Sequence, residues 1–188
     1  KALVPVNGKP LLEYQLEKLK AAGFTDVVIN VHHFADMIEE WCEKHPHSMR
    51  ILFSDEREKS LETGGGIKHA ASLLRDAQDG FLIHNVDILS NVDLRVFKEK
   101  GKGKAATLLV SERDTQRYLL FDDDMRLVGW TNISTGEVRS PYPNLDPMLY
   151  HKYAFAGVHY MNPSLFRYFD EFPDKFGIID FYLKVCAS

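Results

Sequence analysis

Short β-branched runs and segments of helical period take turns along the first half of the chain, and this alternation limits the fold more than any other feature. Pro10 suits the first turn of a helix, and Leu12, Leu16, Leu19 and Ala22 recur at helical spacing until Gly23 supplies a stop. Asp26–Val31 is a compact β-branched run with turn residues on both sides, the pattern of a strand buried on both faces. Ala35 to Lys44 returns to a helical pattern through Met37, Ile38 and Trp41. A strand follows at Arg50 to Ser54, a helix through Ile67, Ala70, Ala71 and Leu74, and another strand at Phe81 to Asn85. Such order predicts an α/β fold, a Rossmann-like mixed and mostly parallel sheet flanked by helices. Sheets of this kind bind ligands at the carboxyl ends of their strands.

Beyond Asp93, which suits the N-cap of a helix over Leu94 to Lys100, the pattern changes. Ala105 to Val110 reads as a strand, and short extended segments around Tyr118 to Phe121, Arg126 to Trp130 and Glu137 to Arg139 predict a small antiparallel excursion. Ser140 to Lys152 is proline-rich and irregular, a candidate pocket wall. A further strand is expected over Tyr153 to Tyr160, and Pro163 opens a helix through Leu165, Phe166 and Phe169.

A chain of 188 residues can bury the core of one domain, here residues 1–188. It lacks an initial methionine and reads as a piece truncated at both ends. The formal charge of −4, with lysines and arginines dispersed among acids, offers no basic stripe and argues against nucleic acid as partner. Cys42 and Cys186 form no paired motif, which suits a reducing cytoplasm, and no apolar run approaches membrane-spanning length.

Chemistry concentrates in a few places. Leu61-Glu62-Thr63-Gly64-Gly65-Gly66 reads as a glycine loop before a helix beginning near Ile67. Without Cβ atoms its N–H groups can approach a ligand closely, although a tight strand-to-helix turn would use the same residues. Asn85-Val86-Asp87 ends an apolar strand, so Asp87 stands where a carboxylate can hold Mg²⁺ against phosphate or simply form a turn. Lys1 and Lys9 bracket the opening segment; either ammonium can neutralise phosphate, and either can be an ordinary solvated lysine. Gly157 lies inside an aromatic strand, where a ligand or a close packing contact would use the missing side chain.

Taken together, Lys-Ala-Leu-Val-Pro-Val-Asn-Gly-Lys-Pro-Leu-Leu at the start, Leu-Glu-Thr-Gly-Gly-Gly-Ile at 61–67, Asn-Val-Asp at 85–87 and Phe-Ala-Gly-Val at 155–158 resemble the sugar-1-phosphate nucleotidyltransferases. The similarity is greatest to the bacterial group that includes N-acetylmuramate 1-phosphate uridylyltransferases and mannose 1-phosphate guanylyltransferase-like proteins. The resemblance implies an EC 2.7.7 enzyme that couples a nucleoside triphosphate to a sugar 1-phosphate and releases pyrophosphate, with uridylyl slightly ahead of guanylyl transfer. It implies Mg²⁺ as cofactor, Asp87 as metal-binding and catalytic aspartate, and Lys1 as the catalytic lysine on phosphate. Glu62, Thr63, Gly64 and Gly65 become the nucleobase wall, and Asn85 and Gly157 the sugar contacts. It further implies a cytoplasmic role in nucleotide-sugar supply for cell-envelope polysaccharide, with a homodimer as candidate assembly.

Two family features lie outside the sequence: the Gly-x-Gly-Thr-Arg loop that wraps the triphosphate before Lys1, and a second metal-binding aspartate beyond Ser188. Val86 also stands where many relatives carry glycine. A module of the same fold that binds nucleotide sugars without turnover is the alternative. A dinucleotide-dependent oxidoreductase is disfavoured, because no Gly-x-Gly-x-x-Gly follows a first strand. His32 and His33 are expected on opposite faces of extended chain and not on a shared ion, and Asp122-Asp123-Asp124 is expected to be a solvated turn.

Overall fold

A computed structural model describes residues 1–187. Strands β1 (Pro5–Val6) and β2 (Lys9–Pro10) form a minimal hairpin. Asn7 and Gly8 both take positive φ, +49° and +79°, as the favoured two-residue hairpin turn requires. Helix α1 (Leu11–Ala21), strand β3 (Asp26–Val31), helix α2 (Ala35–Lys44) and strand β4 (Arg50–Asp55) follow in order. Val27, Ile29, Val31, Ile51 and Phe53 alternate onto one face and share a cluster with Leu12, Leu16, Ala35, Ile38 and Cys42. The other face is not dry: Val28 and Leu52 stay half-buried and Asn30 is exposed. The expectation of a β3 strand buried on both faces therefore fails; its second face is occupied in part by polar contacts through Asn30.

The glycine run is helix, not loop. Helix α3 spans Glu62–His69 and contains all three glycines, with α4 (Ala71–Leu74) directly after it. Strand β5 (Phe81–His84) and helix α5 (Leu94–Gly101) complete the first half, and the Asp93 carboxylate accepts from the Arg95 and Val96 amides as an N-cap. Then come β6 (Ala106–Ser111), β7 (Arg117–Phe121), β8 (Leu127–Asn132), β9 (Glu137–Arg139), β10 (His151–Met161), a 3₁₀ segment at Pro163–Glu171 and helix α6 (Ile178–Val185).

β3 and β4 pair in parallel, with α2 as the crossover that such a pair needs. The remaining ladders are antiparallel: β10 runs beside β5, β6 and β7, and β7, β8 and β9 form the excursion that the sequence predicts. The fold is mixed α/β, its parallel part confined to β3 and β4 among the described residues. β10 begins at His151 rather than Tyr153 and shortens the irregular stretch before it. The helix expected at Pro163 is 3₁₀, and α6 was not foreshadowed. α6 seats Phe181 and Tyr182 in an aromatic cluster with Phe166, Phe169 and Phe176. Among the described residues no helix is long and apolar enough to cross a membrane.

One buried pair makes stability depend on pH. His159 on β10 and Tyr182 on α6 share a hydrogen bond of 2.5 Å, and burial holds the imidazole pKa down to about 3. In the unfolded chain the group titrates near 6.5. Below that value the unfolded state binds a proton that the folded state refuses, so stability is fully present above about pH 6.5 and is lost as pH falls toward 3. His84, also depressed by burial, adds the same sign. His159→Phe should flatten the change in urea midpoint between pH 7 and pH 5, and an unchanged slope would assign the effect elsewhere.

Candidate functional site

The opening segment is folded back onto α1. The Leu12 amide donates to Ala2 O at 2.9 Å and the Leu11 amide to Val4 O at 3.0 Å. This places Lys1 beside the turn after β5, where its Nζ lies 3.3 Å from Asp87 Oδ2. Two residues 86 positions apart thus meet as an exposed ion pair at the carboxyl end of a strand, the edge where α/β folds bind ligands. Lys9 lies away from this turn, 2.6 Å from Glu17 in an exposed ion pair.

The turn bearing Asp87 is closed by the Ile88 amide on Asn85 O at 3.2 Å, and the Asn85 amide donates to Gly157 O at 3.0 Å. Val86 packs against the cluster formed by α1, α2, β3 and β4, so the side chain at this position ties the turn to the core. Gly157 has φ +70° and sits where the β10–β6 register shifts. A Cβ there would lie 2.7 Å from Asn85 Nδ2 and 3.3 Å from Ile88. The glycine is buried and its missing side chain makes room for Asn85. Asn85 itself is exposed beside Asp87.

Helix α3 divides the predicted nucleobase wall in two. The Gly64 and Gly65 amides donate to Phe176 O at 2.9 and 3.2 Å. A Cβ on Gly64 would meet the Phe176 ring at 2.3 Å, and one on Gly65 would meet Asp174 O at 2.1 Å. Both glycines are buried against the 174–178 segment, which removes them as an open surface. Glu62 and Thr63 stay exposed, Thr63 Oγ1 accepting from the Ile178 amide and Glu62 lying 3.7 Å from Lys175. Glu62 has φ +63°, a left-handed conformation uncommon for a side-chain-bearing residue.

A residue that the sequence did not single out anchors this helix. Glu56 is only 6 % exposed, and its carboxylate accepts from Asn30 Nδ2 at 2.8 Å and from the Leu61 amide at 3.1 Å. Gly66 packs on this pair, a Cβ there lying 2.7 Å from Asn30 Nδ2 and 2.8 Å from Glu56 Oε1. Glu56→Ala would leave the Leu61 amide without its acceptor and break the link to Asn30, an expected loss of about 1 kcal/mol or more in urea unfolding. A midpoint equal to wild type would show that these donors find other partners.

His32 and His33 do not point apart as expected, because the chain bends there and their rings meet edge to face at 4.2 Å. His151 Nε2 lies 3.1 Å from Asp123 Oδ1 in an exposed pair at the start of β10. Trp130 is buried beneath the Arg139 guanidinium, 3.9 Å from the ring centroid, as a core residue would be.

Among the described residues no group of three or more His, Cys, Asp or Glu side chains could hold a metal ion. Asp87 contributes one exposed carboxylate, with only Oδ2 engaged among the described residues. That donor set does not make a cage, but it fits a Mg²⁺ ion that brings phosphate and water oxygens as its other ligands.

The chain matches the model of the MobA-like NTP transferase domain over residues 1–161. It belongs to that family. An N-acetylmuramate alpha-1-phosphate uridylyltransferase from Caulobacter vibrioides is 46% identical over 90 residues, which cover 46% of this chain and 36% of that protein. A mannose-1-phosphate guanyltransferase from Emericella nidulans is 31% identical over 118 residues, covering 61% of this chain and 32% of that protein. The matches thus span about a third of the length of these curated relatives. The crystal structure of HddC from Yersinia pseudotuberculosis superposes with a TM-score of 0.72 at 21% identity, covering 94% of this chain and 72% of that one. The inositol-1-phosphate CTP transferase from T. maritima gives 0.70 at 14% identity over 100% of this chain and 72% of that one. At these identities the structures share the fold, which is that of the nucleotide-diphospho-sugar transferases.

Proposed function

We propose that this MobA-like domain transfers a nucleotidyl group from a nucleoside triphosphate to a sugar 1-phosphate, with uridylyl ahead of guanylyl transfer. The observation that carries the reading is the meeting of Lys1 and Asp87 at 3.3 Å on the exposed strand end. In this reaction a phosphate oxygen of the sugar 1-phosphate attacks the α-phosphorus and pyrophosphate leaves, so the protein must align two anions and neutralise growing charge. The Lys1 ammonium, 81% exposed at its side chain, is free to exchange Asp87 for phosphate oxygens as the nucleotide enters. The Asp87 carboxylate, released from that pair, is the group that would hold Mg²⁺. When bound, the ion would screen the phosphates from one another and draw charge from the α-phosphorus. Asn85 offers a neutral amide to the ribose or sugar hydroxyls, and Glu62 and Thr63 form the exposed part of the base-selecting wall. The names of the relatives, a uridylyltransferase and guanyltransferases, support the substrate class. Two free thiols, Cys42 buried, suit a reducing cytoplasm.

The test is pyrophosphate release by the protein at its natural length, with each nucleoside triphosphate paired against a panel of sugar 1-phosphates in Mg²⁺. Turnover with UTP and one sugar phosphate is expected. Binding of a nucleotide sugar without turnover of any pair would replace the transferase with a binding module.

A further inference from the structure

We propose that Gln15, in α1, is a positioning residue for Asp87. Its side chain is 5 % exposed, and Nε2 donates to the carbonyl oxygens on both sides of that aspartate, Ile88 O at 2.7 Å and Val86 O at 3.4 Å. Both partners are acceptors, which fixes the amide orientation: the NH₂ faces the turn and Oε1 faces away. Among the described residues Oε1 is buried without a hydrogen-bond partner. Such an unpaired acceptor opposes folding, which offsets part of what the two hydrogen bonds contribute, so a methionine of similar length should cost the fold little. What methionine cannot do is donate to two carbonyls at once.

The surroundings make that donation matter. A cleft of about 370 Å³, lined by Tyr14, Gln15, Lys18, Ile88, Leu89 and Ser90, opens between α1 and the 88–90 segment. Side-chain packing therefore does not fill the gap on this side of the turn. Hydrogen bonds cross it instead: those of Gln15, and one turn further along α1 those of Lys18 Nζ to Ser90 O at 2.7 Å and Ser90 Oγ at 2.9 Å. The same helix receives the opening segment through Leu11 and Leu12. Lys1 and Asp87 are thus both held from α1, and Gln15 supplies the side-chain hydrogen bonds that, beside the Val86 packing and the backbone bonds of Asn85 and Ile88, hold the aspartate's turn. A neighbour that orients a metal-bearing carboxylate commonly matters by about 10–100-fold in metal affinity or activity. The inference rests on the reading of Asp87 as the metal-bearing carboxylate.

The test compares Gln15→Met with Asp87→Asn in the protein at its natural length. Three quantities are read: the melting temperature, kcat and KM in pyrophosphate release, and Mn²⁺ binding in the presence of nucleoside triphosphate, followed by the loss of the free-Mn²⁺ electron paramagnetic resonance signal. Gln15→Met should melt within a few degrees of wild type, bind Mn²⁺ about tenfold more weakly and lose about tenfold in kcat, with a smaller change in KM for the sugar phosphate. Gln15→Asn keeps the amide but is one methylene too short to reach both carbonyls. It should show the same losses, which keeps the test decisive if the methionine variant does not fold. Wild-type Mn²⁺ binding and kcat in a folded Gln15 variant, beside an impaired Asp87→Asn, would overturn the positioning role alone. Wild-type behaviour of Asp87→Asn would instead remove the metal-site reading beneath it.

Discussion

Asp87→Asn, in the protein at its natural length, should lower kcat for nucleotidyl transfer by on the order of 10³-fold while leaving the melting temperature nearly unchanged. The two halves of that expectation have separate causes. Asp87 is exposed, and its pairing with Lys1 is a surface contact between side chains 41% and 81% accessible. Exposed pairs of this kind contribute about 0–1 kcal/mol, so their loss barely touches stability. Asparagine also keeps the size and hydrogen-bonding shape of the turn, whose closure runs through backbone atoms of Asn85 and Ile88. Transfer, in contrast, brings two phosphate groups into one site, and the carboxylate is the anchor proposed for the cation that lets them approach. An amide carries no charge for that task. Steady-state pyrophosphate release at several Mg²⁺ concentrations, with a thermal melt on the same preparation, checks both parts. Near-normal turnover would show that the metal is held by groups other than Asp87.

Local periodicity made α1, α2 and α5 legible, because apolar residues at helical spacing and caps such as Asp93 are local signals. The same logic misread the glycine run. Each glycine disfavours helix by about 1 kcal/mol relative to alanine, so three in succession read as a loop. In the folded chain that cost is offset by close approach of the 174–178 backbone and ring, contacts made with residues more than a hundred positions away. Family resemblance gave Lys1 and Asp87 roles on phosphate and metal but not their contact, and spacing alone does not predict one across 86 residues. Gln15 did leave a local signal that went unread. It occupies the apolar stripe Leu12, Gln15, Leu16, Leu19, and a polar residue at such a position must find a buried partner. Glu56 left no comparable mark, because its partners come from β3 and from the residue before α3.

The helical glycines permit the largest stability prediction, and its sign runs against helix propensity. In an exposed helix, glycine to alanine stabilises by about 1 kcal/mol. Gly65→Ala should instead destabilise this chain by about 3 kcal/mol, because the new Cβ would stand 2.1 Å from Asp174 O and 2.9 Å from Leu61 Cβ. The first of these is backbone, and the Asp174–Phe176 segment cannot retreat without stretching the hydrogen bonds from the Gly64 and Gly65 amides to Phe176 O. At Gly64 the obstruction is the Phe176 ring at 2.3 Å, a side chain that can turn aside within its aromatic cluster, so Gly64→Ala should cost less. For a chain of this size about 3 kcal/mol corresponds to a fall of roughly 6–12 °C in melting temperature. Thermal unfolding of the two variants against wild type reads both the sign and the order. Stabilisation by Gly65→Ala would mean that the 174–178 segment does not seat on α3 in solution, and would return the glycines to an open, ligand-facing role.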